Sequence, residues 1–124
     1  MPRKRILIVE DSPELRRMFR NVLTMEGYEV EEAGDGVEAL QLVENRLPDL
    51  ILLDLVLRSL DGLSVQQELA SHAITRQIPI VIVTGSIIDT ASLDVACVLR
   101  KPVMPEDLIK TVKSCLASGA ASGV

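Results

Sequence analysis

Three apolar runs, Ile6-Leu7-Ile8-Val9, Leu50-Ile51-Leu52-Leu53 and Ile80-Val81-Ile82-Val83, contain no polar residue. A strand with one wet face alternates apolar and polar side chains, so such a run reads as a strand covered on both faces. Between the runs the apolar residues take up helical spacing. Leu15, Met18, Phe19, Val22 and Leu23 follow Ser12 as a cap, Pro13 at the first helical position and Glu14 at the positive helix end, and Gly27 stops the pattern.

The rest of the chain repeats this alternation. Tyr28–Glu32 reads as a second strand, Gly34-Asp35-Gly36 as a turn, and Val37–Glu44 as a helix with Ala39, Leu40 and Val43 on one face. Asp61-Gly62 opens a third helix that runs to about His72. Val95–Leu99 is a fifth strand, and Pro105, Glu106 and Asp107 start a last helix carrying Leu108, Ile109, Val112 and Leu116. Strands apolar throughout and alternating with helices specify a doubly wound α/β domain with right-handed crossovers. At 124 residues the flavodoxin-like order, a parallel five-stranded sheet 2-1-3-4-5, is the natural choice. Residues 1–117 form this one domain, and 118–124 are expected to be a disordered tail.

Composition removes several functions. The net charge of -5 disfavours direct nucleic-acid binding, and Phe19 and Tyr28 are the only aromatic residues, too few to stack bases. Arg3, Lys4 and Arg5, and then Arg16, Arg17 and Arg20, read as solvated surface, with a docking patch for an acidic partner as the sharper alternative. Cys97 and Cys115 lack metal-ligand spacing, which fits a reduced, cytoplasmic chain. No apolar run approaches the roughly 18 residues of a membrane span.

In a sheet of this kind ligands bind at the carboxyl ends of the strands, beside the reversal in strand order. The strands deliver Glu10 and Asp11, Asp54, Thr84 and Lys101 to that edge. Two carboxylates about 4 Å apart repel by about 4 kcal/mol at an effective dielectric of about 20. Lys101 offsets one charge, and a hard divalent ion suits the remainder. Magnesium fits best, because it keeps several waters and needs few carboxylates besides phosphate oxygens. With such an ion beside it Asp54 becomes a nucleophile that forms an acyl phosphate, and Lys101 and the Thr84 hydroxyl are placed to bind phosphoryl oxygens.

At these residues the chain resembles a response-regulator receiver domain (CheY-like) of two-component signalling. The matching segments are ILIVEDSPELRRMF, AGDGVEAL, PDLILLDLVLRSLDGL, IPIVIVTG and LRKPV. The resemblance implies a (βα)5 fold and a phosphorylation-dependent signalling switch. Its phosphodonor would be a sensor histidine kinase or a histidine phosphotransfer protein, and its target a downstream protein or an output domain. Asp54 would be the phosphoacceptor. Asp11, the Asp54 carboxylate and the Val56 backbone carbonyl would ligate Mg2+, with Glu10 acting through water. Thr84 would be the switch hydroxyl and Lys101 the phosphate-sensing cation. Such a domain is not an enzyme on an external substrate, though it catalyses its own phosphorylation and dephosphorylation.

Several residues depart from the family pattern. Arg58 stands where Pro is frequent, Val98 where many members carry a switch Tyr or Phe, and Gly85 where Ala or Ser is common. Ser86–Asp94 is short for a connection plus a helix, so a short or irregular fourth helix is expected. Two other classes compete. A pseudo-receiver would bind proteins without being phosphorylated. A phosphatase-type or flavin-binding α/β protein fits less well: Asp54-Leu55-Val56 lacks a second Asp, and Glu10-Asp11 would repel a cofactor phosphate.

Overall fold

The computed structural model describes residues 3–57, 60–85 and 95–118. Its strands are β1 (Arg5–Val9), β2 (Glu29–Ala33), β3 (Leu50–Asp54), β4 (Ile80–Thr84) and β5 (Cys97–Arg100). Its helices are α1 (Pro13–Met25), α2 (Gly36–Asn45), α3 (Gly62–Ala70) and α4 (Pro105–Ser118), with a 3₁₀ turn at Thr75–Gln77. All strand pairings are parallel, in the order β2-β1-β3-β4-β5, as the alternating pattern predicts. The expected short helix at Ser86–Asp94, the Arg58 loop position and the tail beyond Ser118 lie outside the described residues.

The uninterrupted runs form the three central strands, and the strand period of two divides each between two cores. Leu7, Val9, Ile51 and Leu53 pack with Ala39 and Val43 of α2 and with Val65 and Leu69 of α3. Ile6, Ile8, Leu50 and Leu52 pack on the other face with Phe19 and Leu23 of α1 and with Leu108 and Val112 of α4. Helix starts follow the cap chemistry. The side chains of Ser12, Asp35 and Asp61 accept from the amides of Leu15, Glu38 and Ser64 respectively. Gly27, at φ 95°, turns the chain out of α1 in a conformation that side chains resist.

Some boundaries and characters differ from expectation. β2 is not apolar throughout: Glu29, Glu31 and Glu32 lie on it, as an outer strand allows. It begins after Tyr28, because the Tyr28 amide donates to Leu23 O at 3.2 Å and closes α1. α3 stops at Ala70 and not near His72, and at its end the Ser71 hydroxyl donates to Glu68 O at 2.7 Å. β5 covers Cys97–Arg100 and not Val95–Leu99, with Cys97 opposite Val81 and Arg100 opposite Thr84. α4 runs on through Ser118.

The basic start is not simply solvated surface. Arg5 is only 6% exposed. Its guanidinium donates to Glu29 at 3.1 Å, to Glu31, and to Leu47 O at 3.1 Å. Its amide donates to Asp49 Oδ2 at 2.7 Å. A buried arginine demands this many acceptors, so Arg5 locks the amino end of the sheet opposite the acidic end.

Candidate functional site

β1 delivers its acids while still held by the sheet: the Glu10 amide donates to Ala33 O at 3.1 Å. The Glu10 side chain is 1% exposed, Asp54 is 3% exposed, and Asp11 is half-buried. Glu10 Oε2 accepts from the Ser12 amide at 3.1 Å. Asp54 Oδ1 accepts from the Val56 amide at 3.0 Å, and Asp54 Oδ2 from Lys101 Nζ at 3.0 Å. The β4–β5 ladder brings that lysine in, because the Lys101 amide donates to Thr84 O at 2.9 Å just beyond the last strand pair. The Lys101–Pro102 peptide is cis. Thr84 closes β4, one residue past the partner of Asp54, and is fully buried. Val56 is 61% exposed at the mouth.

One ammonium is therefore shared by the buried Glu10 and Asp54, with Asp11 beside them. Oxygen atoms of Glu10, Asp11 and Asp54 all lie within 4.8 Å of one another. Lys101 Nζ stands 3.3 Å from Glu10 Oε1, yet off the axis of a hydrogen bond, so this buried oxygen accepts none. Burial, then the neighbouring Asp54 charge, pushes the Glu10 carboxyl up to about 7, against the Ser12 amide and Lys101. Burial alone would lower the Lys101 ammonium, but Asp54 and Glu10 outweigh it and hold it above its usual value. A buried carboxylate oxygen that accepts no hydrogen bond, in an all-oxygen set with excess negative charge, fits a small hard cation.

The Glu10 shift has a measurable consequence in a chelator. A raised carboxyl means that the folded chain binds the proton more tightly than the unfolded chain does, so stability is lost as the proton leaves. The part of the stability in EDTA that Glu10 carries is expected to fall as pH rises from 4.5 to about 7. Glu10→Gln should flatten that slope. An unchanged dependence of melting temperature on pH in the variant would refute the assignment.

All the site residues read from the strand ends arrive at this edge of the sheet, but two further residues support it. An ideal Cβ on Gly62 would lie 2.1 Å from Asp54 O and 2.5 Å from Leu55 Cα. The Gly62 amide also donates to Leu55 O at 3.0 Å. The first turn of α3 thus rests directly on the backbone that carries Asp54, where the sequence suggested only a turn and helix start. Arg16 and Arg20 are not free surface charges either. Both bond Glu32, and Arg16 also donates to Glu10 O at 2.7 Å. Arg17 and Arg20 are both exposed, Arg20 while paired with Glu32 and Arg17 as the surface charge the sequence suggested.

Comparison with known proteins agrees with this geometry. A family model described as the response regulator receiver domain matches residues 6–113. The response regulator MprA of Mycobacterium sp. (strain KMS) is 38% identical over 119 residues, which cover 90% of this chain and 50% of that protein. The chain thus spans about half the length of the curated relatives it matches. A CheY-like receiver domain protein from Methanospirillum hungatei JF-1 superposes with a TM-score of 0.88 at 29% identity, covering 95% of this chain and 97% of that one. The receiver domain of sensor histidine kinase PA1611 from Pseudomonas aeruginosa PAO1, solved with magnesium coordinated in its active-site cleft, superposes with a TM-score of 0.85 at 26% identity, over 94% of this chain and 99% of that one.

Proposed function

The chain belongs to the response regulator receiver domain family, and from that premise we propose that Asp54 accepts the phosphoryl group that sets its signalling state. The observation that carries this reading is the placement of Asp54. It is a buried carboxylate at the carboxyl end of a central strand, with one oxygen on the Lys101 ammonium and the other on the Val56 amide. An attacking carboxylate needs such fixed donors, because phosphoryl transfer is mostly positioning and charge stabilisation.

In this reading Asp54 forms its bond to phosphorus as the bond to the donor histidine nitrogen breaks. The donor is a sensor histidine kinase or a histidine phosphotransfer protein. Lys101, already within hydrogen-bond reach of Asp54, then binds a phosphoryl oxygen, and Thr84 does the same from β4. Asp11, Asp54 and the Val56 carbonyl would hold Mg2+, and Glu10 would act on it through water. Bound there, such an ion would supply positive charge to phosphoryl oxygens. The same groups let the chain catalyse its own phosphorylation and dephosphorylation, and the exposed apolar side chain of Val56 offers nothing to orient a hydrolytic water. The chain works in the cytoplasm on a protein target or an output domain and makes no nucleic-acid contact itself. Among the described residues no helix is long and apolar enough to cross a membrane.

Incubation with acetyl phosphate, followed by intact-mass measurement, tests the proposal. One phosphoryl addition is expected with magnesium present and none in EDTA. Val98, an aliphatic residue packed on the core where many receivers carry an aromatic, favours the competing reading of a constitutive protein-binding module. No modification with any donor would establish that reading instead.

A further inference from the structure

The last pair of the β1–β2 ladder is Val9 with Ala33, and the Glu10 amide still reaches Ala33 O at 3.1 Å. Beyond that point, among the described residues, the β2 main chain offers the acidic loop no further hydrogen bond. The next main-chain group, the Glu10 carbonyl, is taken up by a side chain: Arg16 Nη1 donates to it at 2.7 Å. The same guanidinium is anchored through Nε to Glu32 Oε1 at 3.1 Å. Arg16 therefore ties the loop to β2 where the strand ladder ends.

That carbonyl belongs to the same planar unit as the Asp11 amide. Fixing its direction fixes the plane from which the Asp11 side chain departs. Asp11 is the least buried of the three acids, and β3 and the Ser12 amide already hold its companions. We propose that Arg16 is a positioning residue for the cation site: it holds the Glu10–Asp11 peptide so that the Asp11 carboxylate stands with Glu10 and Asp54. This rests on the reading that those acids take up magnesium.

Arg20 supplies the internal control. It lies one turn further along α1 and bonds the same Glu32, through Oε2 at 2.5 Å, but among the described residues its contact ends there. Loss of Arg20 loosens Glu32 without freeing the loop, whereas loss of Arg16 frees the loop.

The test is calorimetric titration of the purified chain with magnesium chloride. Partners that orient a metal ligand are generally worth 10- to 100-fold in affinity, so Arg16→Ala is expected to weaken magnesium binding by about 10-fold. Arg16→Lys should recover part of it, since an ammonium can reach the carbonyl but cannot also fork to Glu32. Arg20→Ala should bind like the wild type. At saturating magnesium the rate at which acetyl phosphate modifies Asp54 should return close to wild type in Arg16→Ala, which a general folding defect would not allow. Equal affinity in Arg16→Ala and the wild type overturns the proposal, and so does an equal loss in Arg20→Ala. If Arg16→Ala does not fold, Arg16→Lys against Arg20→Lys decides: weaker binding only in the first supports it, and equal binding overturns it. A wild type that takes up no magnesium overturns this proposal together with the functional reading, a result distinct from the others.

Discussion

An Asp54→Asn chain is expected to take up no phosphoryl group from acetyl phosphate and, in EDTA, to melt higher than the wild type. The first half follows from chemistry, since a neutral amide cannot replace the attacking carboxylate. The second half follows from charge. Asp54 and Glu10 are both buried and share a single ammonium. Asparagine keeps the shape and can still accept from the Val56 amide, but it ends the repulsion and leaves Lys101 to Glu10 alone. The expected gain is about 1 kcal/mol, a rise in Tm of roughly 3–5 °C for a chain of this size. Intact mass and scanning calorimetry read the two halves separately. A chain that melts lower by a similar amount would mean that the Lys101–Asp54 attraction exceeds the Glu10 repulsion, and the electrostatic argument for a cation would fail.

Gly62→Ala is expected to destabilise the chain by about 3 kcal/mol, near the top of the usual range for overpacking, and to slow Asp54 phosphorylation. The added methyl would meet main-chain atoms of Asp54 and Leu55 at 2.1 and 2.5 Å. Backbone cannot swing aside as a flexible side chain can, so either α3 lifts or the acceptor loop moves. Both displace the carboxylate from Lys101, and a small misplacement in phosphoryl transfer is expensive in rate. Gly85→Ala is the matched control. Among the described residues its methyl would touch Lys101 Cβ and Cδ at 3.7 and 3.8 Å, an ordinary contact, and stability close to wild type is expected. Urea unfolding of both variants makes the comparison. A Gly62→Ala chain as stable as Gly85→Ala would show that α3 does not bear on the acceptor backbone as described.

The central strands could be read from the amino acids because burial on both faces forbids polar interruptions, a constraint visible residue by residue at Ile6–Val9 and Ile80–Val83. Helix starts were readable for a local reason as well, since the caps Ser12, Asp35 and Asp61 act within three residues of themselves. The acids at the strand ends became a site through topology alone, which places β1 beside β3 and β3 beside β4. Long-range pairing escaped this reading. Arg5 and Arg16 look like any solvated arginine until β2 and the α2–β3 connection bring acceptors to them. Gly62 looks like a turn residue until Asp54 O is found where its Cβ would be. The start of β5 was misplaced because an outer strand with partly covered faces carries a weaker pattern than a central one.

The acidity of β2 has a consequence for self-association. An outermost strand in a parallel sheet leaves one row of main-chain donors and acceptors open to another chain, a standing route to fibrous aggregates. Here Glu29, Glu31 and Glu32 line that strand, and their counter-charges, Arg5, Arg16, Arg20 and Arg46, all come from the same molecule. A second copy approaching edge to edge would set carboxylate against carboxylate or have to break the pairs already made. The glutamates that anchor Arg5 and Arg16 inside the fold therefore also act as gatekeepers, making this edge of the sheet a poor template for a second chain.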